Sequence, residues 1–138
     1  MSLEAISIST SKYIKTVNAK IDDHVFTVRK MGAGLQLDLS REMNNLLNMR
    51  TTIMNVEGKQ KVAKNDEERE KLTEEMLSKM GDFEKIIKRI EDIFVSIFDD
   101  REDGSKSRNL VHSLGIDNMQ KIYAEIFDEA EEDETKDE

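Results

Sequence analysis

The stretch MLSKMGDFEKIIKRIEDIFVSIF, residues 76–98, carries the strongest structural signal in the sequence. Its apolar side chains recur every seven residues and at the three- and four-residue offsets between, while charged side chains occupy the opposite side. This spacing predicts an amphipathic helix of roughly 30 residues with a soft interruption at Gly81. The apolar stripe could pack on other helices of the chain or on a second copy, because three heptads suffice for a short coiled coil.

A second apolar helix is predicted upstream of this stretch. Ser40 can cap its first turn, and apolar residues then recur at three- and four-residue spacing from Met43 to an end near Gly58. Residues 59–71 are almost wholly polar and fit either a solvated helix or a loop. We favour a break with a fresh helix start at Asn65-Asp66, where the following carboxylates suit the positive end of a helix.

Two further helices are predicted after a polar loop at residues 99–107. The first covers residues 106–114 and ends at Gly115, a residue suited to the position after a helix. The second begins with Asp117 as its cap. Residues 128–138 are almost all acidic, which predicts a disordered tail.

In the N-terminal third, the side-chain pattern repeats with a different period. Residues 11–21 alternate in steps of two, Asp22-Asp23 supplies turn residues, and residues 24–29 resume a β-rich run. We therefore predict a β-hairpin that is broken at Gly32-Ala33-Gly34. Residues 35–39 alternate again, as a short third strand or an extended lead-in to the helix.

These elements together predict a mainly α fold of the α+β type. It consists of a short N-terminal β-hairpin or small antiparallel sheet, about four helices and an acidic disordered tail. We assign residues 1–39 to the β segment, residues 40–127 to a helical region of the same domain, and residues 128–138 to the tail. The absence of proline fits this fold, since proline is excluded from helix interiors.

Composition bounds the possible functions. The 138 residues are 37% apolar and 37% charged, so the core is expected to be thin. The chain has no cysteine for disulfides or thiolate metal sites, no apolar run that could span a membrane and no signal segment, so a cytoplasmic location is expected. The net charge of −9 is concentrated in residues 61–138 and argues against binding to nucleic acid.

One segment imitates a calcium loop. The run Asp99–Gly104 begins like an EF-hand, but that assignment places Arg101 and Leu110 where oxygen ligands are required. We therefore interpret it as a solvated turn.

Other catalytic or ligand-binding features are equally weak. Gly32-Ala33-Gly34 is too short to cradle a phosphate. The two histidines lack partners at zinc spacing; His24 is expected to be exposed and His112 to be packed or hydrogen-bonded. We predict that the protein is not an enzyme and requires no cofactor or metal.

Methionines are frequent on the predicted helices, and a flexible, polarisable side chain can re-pack around different ligands. Ordinary core packing is one interpretation, and an adaptable surface for an apolar partner helix is the other. Under the second interpretation a partner would bind by helix-in-groove contacts. The residues predicted to make them are Met43, Leu47, Met54, Met76, Met80, Phe83, Ile87, Ile90 and Phe94.

The order of these segments resembles that of a known family. A β segment, Ala19–Val28, leads through Leu35–Leu39 into helices that end in Ile93–Phe98, and Asn109–Asp117 and Met119–Phe127 follow before the acidic end. In this order residues 13–130 resemble the tail assembly chaperones of long-tailed bacteriophages and of prophages of Gram-positive hosts.

The resemblance implies a function. Such chaperones bind the tape measure protein, a long, apolar and largely helical chain that sets tail length, and keep it soluble until tail-tube subunits polymerise around it. A phage-encoded protein of this kind would act in the host cytoplasm, and the family has no catalytic residues. The alternative is a homo-oligomeric structural or adaptor protein, self-associated through the heptads of residues 76–98, without chaperone activity.

Overall fold

The computed structural model describes residues 4–136, without the side chains of residues 129–136. The chain divides into two compact units, one formed by Met1–Lys30 with Val95–Glu138 and the other by Met31–Phe94. Within the described residues there are four α-helices and one three-stranded antiparallel sheet, which confirms the predicted fold class.

The first unit contains the predicted β-hairpin. After a 3₁₀ turn at Thr10–Lys12, strand β1 (Thr16–Ile21) and strand β2 (His24–Arg29) pair in antiparallel fashion. Asp22 starts the two-residue turn between them at a positive φ of 55°, a conformation that Asp tolerates better than most residues. The third strand, β3 (Phe98–Asp99), pairs with β2, so the sheet order is β1-β2-β3.

The alternation seen in the sequence sets the two faces of this sheet. Val17, Ala19 and Ile21 are half-buried and lie opposite Val28, Phe26 and His24 in the ladder. Phe98 of β3 lies opposite Val28, and both side chains are fully buried. One face therefore packs into the core of the unit.

Helices α3 (Ser105–Leu114) and α4 (Ile116–Lys136) complete the first unit. Gly115 ends α3 as predicted, with a positive φ of 82° and its N–H donating to Val111 O. The prediction that Asp117 caps α4 was wrong, because α4 begins one residue earlier and Asp117 lies in its first turn. The carboxylate still lies at the positive end of the helix.

Helix α4 continues to Lys136, beyond the predicted end of the helical region at residue 127. The predicted disorder of the acidic tail concerns residues 128–138. The side chains of residues 129–138, and the last two residues entirely, lie outside the described part of the chain.

The second unit is built from α1 (Ala33–Lys61) and most of α2 (Asp66–Ile97). The short third strand or extended lead-in predicted at residues 35–39 was wrong, as was the cap at Ser40, because α1 already begins at Ala33. Leu, Gln and Asp alternate in Leu35–Leu39 without a β-branched residue, and leucine at i and i+4 suits one face of a helix equally well. Helix α1 passes Gly58, and α2 continues through Gly81 without interruption.

The break between the two helices lies where the sequence predicted it. Asn65 Oδ1 accepts a hydrogen bond from the Glu68 N–H (2.8 Å), and Glu68 Oε2 accepts one from the Lys64 N–H (3.2 Å). This reciprocal pair satisfies main-chain donors at the start of α2. Residues 62–65 therefore form a short link, which resolves the polar stretch 59–71 into two helix ends and a turn.

Three side-chain contacts define how α1 and α2 run side by side in opposite directions. Near the link, Gln60 Nε2 donates to Thr73 Oγ1 (3.1 Å) and Arg69 Nη2 donates to Ala63 O (3.4 Å). Far from it, Arg89 Nε donates to Glu42 Oε2 (3.0 Å). One antiparallel register accommodates all three, so α1 and α2 form a helical hairpin.

Apolar packing follows the same register. Val56, Ala63 and Leu72 form a buried cluster, against which Met76 packs. Both helices place buried or half-buried side chains at heptad positions along the seam. On α1 these are Leu39, Glu42, Leu46, Met49, Ile53, Val56 and Gln60, and on α2 they are Leu72, Met76, Lys79, Phe83, Ile86, Ile90 and Ile93.

Adjacent leucines on α1 provide a test of this seam. Leu46 is 7% exposed and Leu47 is 56% exposed. We expect Leu46→Ala to lower the free energy of unfolding by about 2–4 kcal/mol, because it leaves a cavity in the seam. Leu47→Ala should change it by less than about 0.5 kcal/mol. Urea denaturation followed by far-UV circular dichroism measures both, and equal losses in the two variants would contradict the assigned seam.

Candidate functional site: an apolar face of the helical hairpin

The structure places the nine predicted partner-binding residues on the hairpin in three different environments. Leu47, Met54 and Met80 are exposed. Met43, Met76, Phe83 and Ile87 are half-buried. Ile90 and Phe94 are fully buried, with no exposed surface, and are inaccessible to a partner in this structure.

The seam explains this division. Met76, Phe83 and Ile90 are seven residues apart and belong to the side of α2 that packs against α1. The heptad stripe that is strongest in the sequence therefore packs against another helix of the same chain. The surface that remains for a partner lies beside the seam rather than on it.

Apart from Leu37, the exposed large apolar residues of the two helices fall on one flank of the hairpin. Two antiparallel helices that pack through equivalent positions are related by a twofold axis, and that axis keeps equivalent flanks on the same side of the pair. Helical spacing assigns Leu47 and Met54 to this flank of α1, and Leu77 and Met80 to the corresponding flank of α2. Half-buried Met43 and Ile87 lie between them and the seam.

We call this flank the apolar ridge and define it as Met43, Leu47, Met54, Leu77, Met80 and Ile87. Three of its six members are methionines. Arg50 and Glu84 fall on the same flank by the same spacing, so charge of both signs interrupts the apolar surface. At a rise of about 1.5 Å per residue, the ridge extends for roughly 16 Å along α1 between Met43 and Met54.

One member of the ridge was missed in the sequence. Leu77 is 64% exposed, and it was overlooked because it lies off the heptad stripe of α2. Its spacing of three residues from Met80 is the signal that could have identified it, once the seam assigns Met76 to the interior.

The calcium-like loop has a structural role instead. Asp100 is buried, at 1% exposure, and its carboxylate accepts four main-chain hydrogen bonds. Oδ1 accepts from Glu102 (2.8 Å) and Gly104 (3.2 Å), and Oδ2 accepts from Lys106 (3.0 Å) and Ser107 (3.2 Å). The interpretation as a solvated turn was wrong for this residue. Because both oxygens face N–H donors, the carboxylate is organised to hold the loop and the first turn of α3 rather than a cation.

The electrostatics of Asp100 follow from this geometry. The Glu102 N–H is the strongest influence and lowers the pKa of the Asp100 carboxyl, burial raises it, and the N–H groups of Ser107, Gly104 and Lys106 lower it further. The net effect is a pKa below the ordinary value. The ionised form is thus the one that stabilises the fold, and its charge also suits the N-terminus of α3.

A neighbouring residue of the loop adopts a strained conformation. Arg101 has a positive φ of 66°, which is uncommon for a long side chain. Its Nε donates to Thr27 Oγ1 (2.7 Å) and its Nη2 donates to Asn18 Oδ1 (2.6 Å). These bonds tie the loop to the outer face of β1 and β2 and offset the cost of the conformation.

The two histidines lie in different environments. His24 is half-buried rather than exposed as predicted, because its Nε2 lies 2.9 Å from Asp100 O and its Nδ1 lies 3.3 Å from Lys106 Nζ. His112 is exposed on the last turn of α3. Over residues 4–136 with their described side chains, no three His, Asp or Glu residues are arranged to hold a metal ion.

Comparison with known proteins gives no relative. No protein-family model, curated protein or solved structure matches the chain. None of the helices, over their described residues, combines the length and apolar character needed to cross a bilayer.

The Asp100 carboxylate makes stability depend on pH in a defined direction. Its contribution is complete above the pKa of an unfolded aspartate, near about 4, and is lost as the pH falls through the lower pKa of the folded state. We expect Asp100→Asn to lower the urea midpoint at neutral pH, since one carboxylate oxygen becomes an amide that faces N–H donors. The variant should also lose less stability than the wild type between neutral and acidic pH.

Asp23→Asn is the matched control, because Asp23 is exposed in the hairpin turn. It should retain the neutral urea midpoint of the wild type. Urea titrations of the three proteins at a series of pH values make the comparison. An Asp100→Asn protein as stable as the control at neutral pH would contradict the role assigned to this carboxylate.

Proposed function

We propose that this protein is a tail assembly chaperone of a long-tailed phage or prophage, which binds the apolar helical tape measure protein and keeps it soluble during tail assembly. The observation that carries the proposal is the apolar ridge: a methionine-rich flank left exposed on a helical hairpin. The resemblance in segment order over residues 13–130 supplies the identity of the client. In this role the protein acts without catalysis or a cofactor, in the cytoplasm of the host cell.

The ridge suits a helical client for geometric reasons. An amphipathic helix laid along it would contact α1 and α2 together and make a third member of the helical layer. Methionine side chains adapt to different apolar surfaces, which suits a long client with many non-identical helical segments. An exposed group of apolar side chains bordered by charged residues is also a typical feature of a binding surface.

Charge supports the same role. The net charge of −9 keeps the chain and its complexes apart from one another by mutual repulsion. An apolar client that aggregates by itself would stay in solution when bound, because its complexes would repel one another. The same negative charge disfavours nucleic acid and anionic membrane surfaces as partners.

The alternative of a homo-oligomeric coiled coil is less well supported. Its seam would be the heptad stripe of residues 76–98, and in this structure Met76, Phe83 and Ile90 occupy the seam with α1. Self-association through that stripe would require the hairpin to open. Binding on the apolar ridge requires no such rearrangement.

Co-expression with the tape measure protein of the same gene cluster tests the proposal. The wild type should increase the soluble fraction of the tape measure protein and co-purify with it. We expect the double substitution Met54→Lys and Leu77→Lys to weaken the complex by more than about tenfold, since it places two charges where apolar surface is buried. Titration of a helical tape measure fragment, followed by calorimetry, measures the affinity.

Leu37→Lys is the matched control, since Leu37 is 65% exposed on α1 and helical spacing assigns it to a different side from the ridge. This variant should bind like the wild type, and circular dichroism should show all three proteins equally folded. If the wild type neither increases the soluble fraction of its cognate tape measure protein nor binds it, the proposed function is wrong. If the double variant binds as tightly as the control, the ridge is not the binding surface.

A further inference from the structure

Strand β1 is an open edge of the sheet. The order β1-β2-β3 leaves one side of β1 without a neighbouring strand. The Lys30 N–H donates to Lys15 O (2.8 Å), which extends the β1–β2 ladder by one pair and fixes its phase. Because bonded and non-bonded pairs alternate in an antiparallel ladder, residues 15, 17, 19 and 21 bond to β2.

The main-chain groups of Thr16, Asn18 and Lys20 consequently point away from β2. Among residues 4–136 they have no main-chain hydrogen-bond partner. The three residues are exposed. They present N–H and C=O groups at the spacing of a strand, which is the pattern that another extended chain can pair with.

A groove of about 460 Å³ runs along this edge. Its far wall is one side of α4, formed by Ile122, Glu125 and Ile126, and consecutive residues 17–22 of the hairpin form the near wall. The half-buried side chains Val17, Ala19 and Ile21 share the core side of the sheet with this wall. A strand added to β1 would therefore have one polar, exposed face and one face against Ile122 and Ile126.

The N-terminal segment of the chain has the matching pattern. Residues 5–9 read Ala-Ile-Ser-Ile-Ser, an uncharged run that alternates between apolar and small polar side chains. Ile6 is 88% exposed and Ile8 is 67% exposed. The 3₁₀ turn at Thr10–Lys12 separates the segment from β1, and within one copy the segment makes no strand pairing.

We propose that residues 5–9 of a second copy of this chain add to β1 as a fourth strand. Ile6 and Ile8 have the same parity, so both would face Ile122 and Ile126 in the groove, while Ser7 pairs with the free main-chain groups of the edge. Each copy has one such segment and one such edge, and reciprocal exchange satisfies both in a closed dimer. The pairing uses residues of the first unit alone and does not rest on the proposed chaperone function.

Substitution at the exposed residue Ser7 tests the pairing without altering a buried side chain. Ser7→Pro removes the N–H that would bond to the edge, and proline is not tolerated within a paired strand. Ser7→Thr is the matched control, because it retains the N–H and favours a strand. We expect size-exclusion chromatography with light scattering to give a dimer for the wild type and Ser7→Thr, and at least about tenfold weaker dimerisation for Ser7→Pro.

All three proteins should have the same helical circular dichroism signal, since residues 4–9 are exposed and belong to no helix. A wild type that stays monomeric at every concentration would overturn the proposal. So would a Ser7→Pro protein that dimerises as tightly as Ser7→Thr. The double substitution Met54→Lys and Leu77→Lys should still dimerise, which separates this inference from the test of client binding.

Disulfide trapping identifies which copy supplies the strand. The chain has no cysteine, so Ser7→Cys and Lys20→Cys introduce single thiols on the exposed side of the segment and of β1. Mixing the two single variants under mild oxidation should yield a cross-link between them in preference to cross-links between like chains. If the double variant instead forms its disulfide within one chain, the segment folds back on its own edge and the second-copy proposal is wrong.

Discussion

The seam between α1 and α2 determines what the rest of the hairpin can do. Apolar side chains at heptad positions on both helices pack against each other in this seam. It extends from the cluster of Val56 and Leu72 near the link to the ion pair between Glu42 and Arg89 at the other end. A chain that is only 37% apolar has few such residues to place elsewhere. The apolar side chains that remain on one flank are therefore more informative than the same residues would be in an apolar-rich protein.

In the first unit, hydrogen bonds of the loop after β3 add to a core that includes Val28, Phe98 and Met119. Asp100 gathers four N–H donors and thereby fixes the loop that joins β3 to α3, while Arg101 joins that loop to the outer face of the sheet. Of these two consecutive residues, Asp100 binds main-chain groups of the loop and of α3, whereas Arg101 binds side chains on the outer face of the sheet. A small three-stranded sheet gains from this arrangement, since two-residue β3 contributes little pairing by itself.

The sequence predicted those parts of the fold that depend on local pattern. The β-hairpin followed from alternation with a turn at Asp22-Asp23, and the break at Asn65 followed from capping chemistry. Leu35–Leu39 was misassigned because a five-residue alternation is compatible with either period. The burial of Asp100 could not be predicted, because it depends on which distant segments pack nearby, and the spacing of Leu77 from Met80 became informative only once the seam was known.

The same dependence on distant contacts limited the prediction of which apolar residues stay exposed on the hairpin. A heptad stripe shows which side of a helix is apolar, but it does not show whether that side meets the same chain or another one. Once α1 occupies the seam, Phe83 and Ile90 become interior, and the flank with Leu47 and Met54 is the part left exposed. The sequence thus predicted the two apolar helices, but it did not predict which of their sides would remain exposed.

The division of the chain makes the hairpin an insertion. The polypeptide leaves the first unit at Lys30 and returns to it at Val95, so the chain continues into the first unit from both helices of the hairpin, and the link at residues 62–65 joins their other ends. Adding or removing matched heptads on either side of that link would preserve the seam and the points of attachment. The length of the hairpin can therefore vary by duplication or deletion of heptads while the residues that join it to the first unit stay the same.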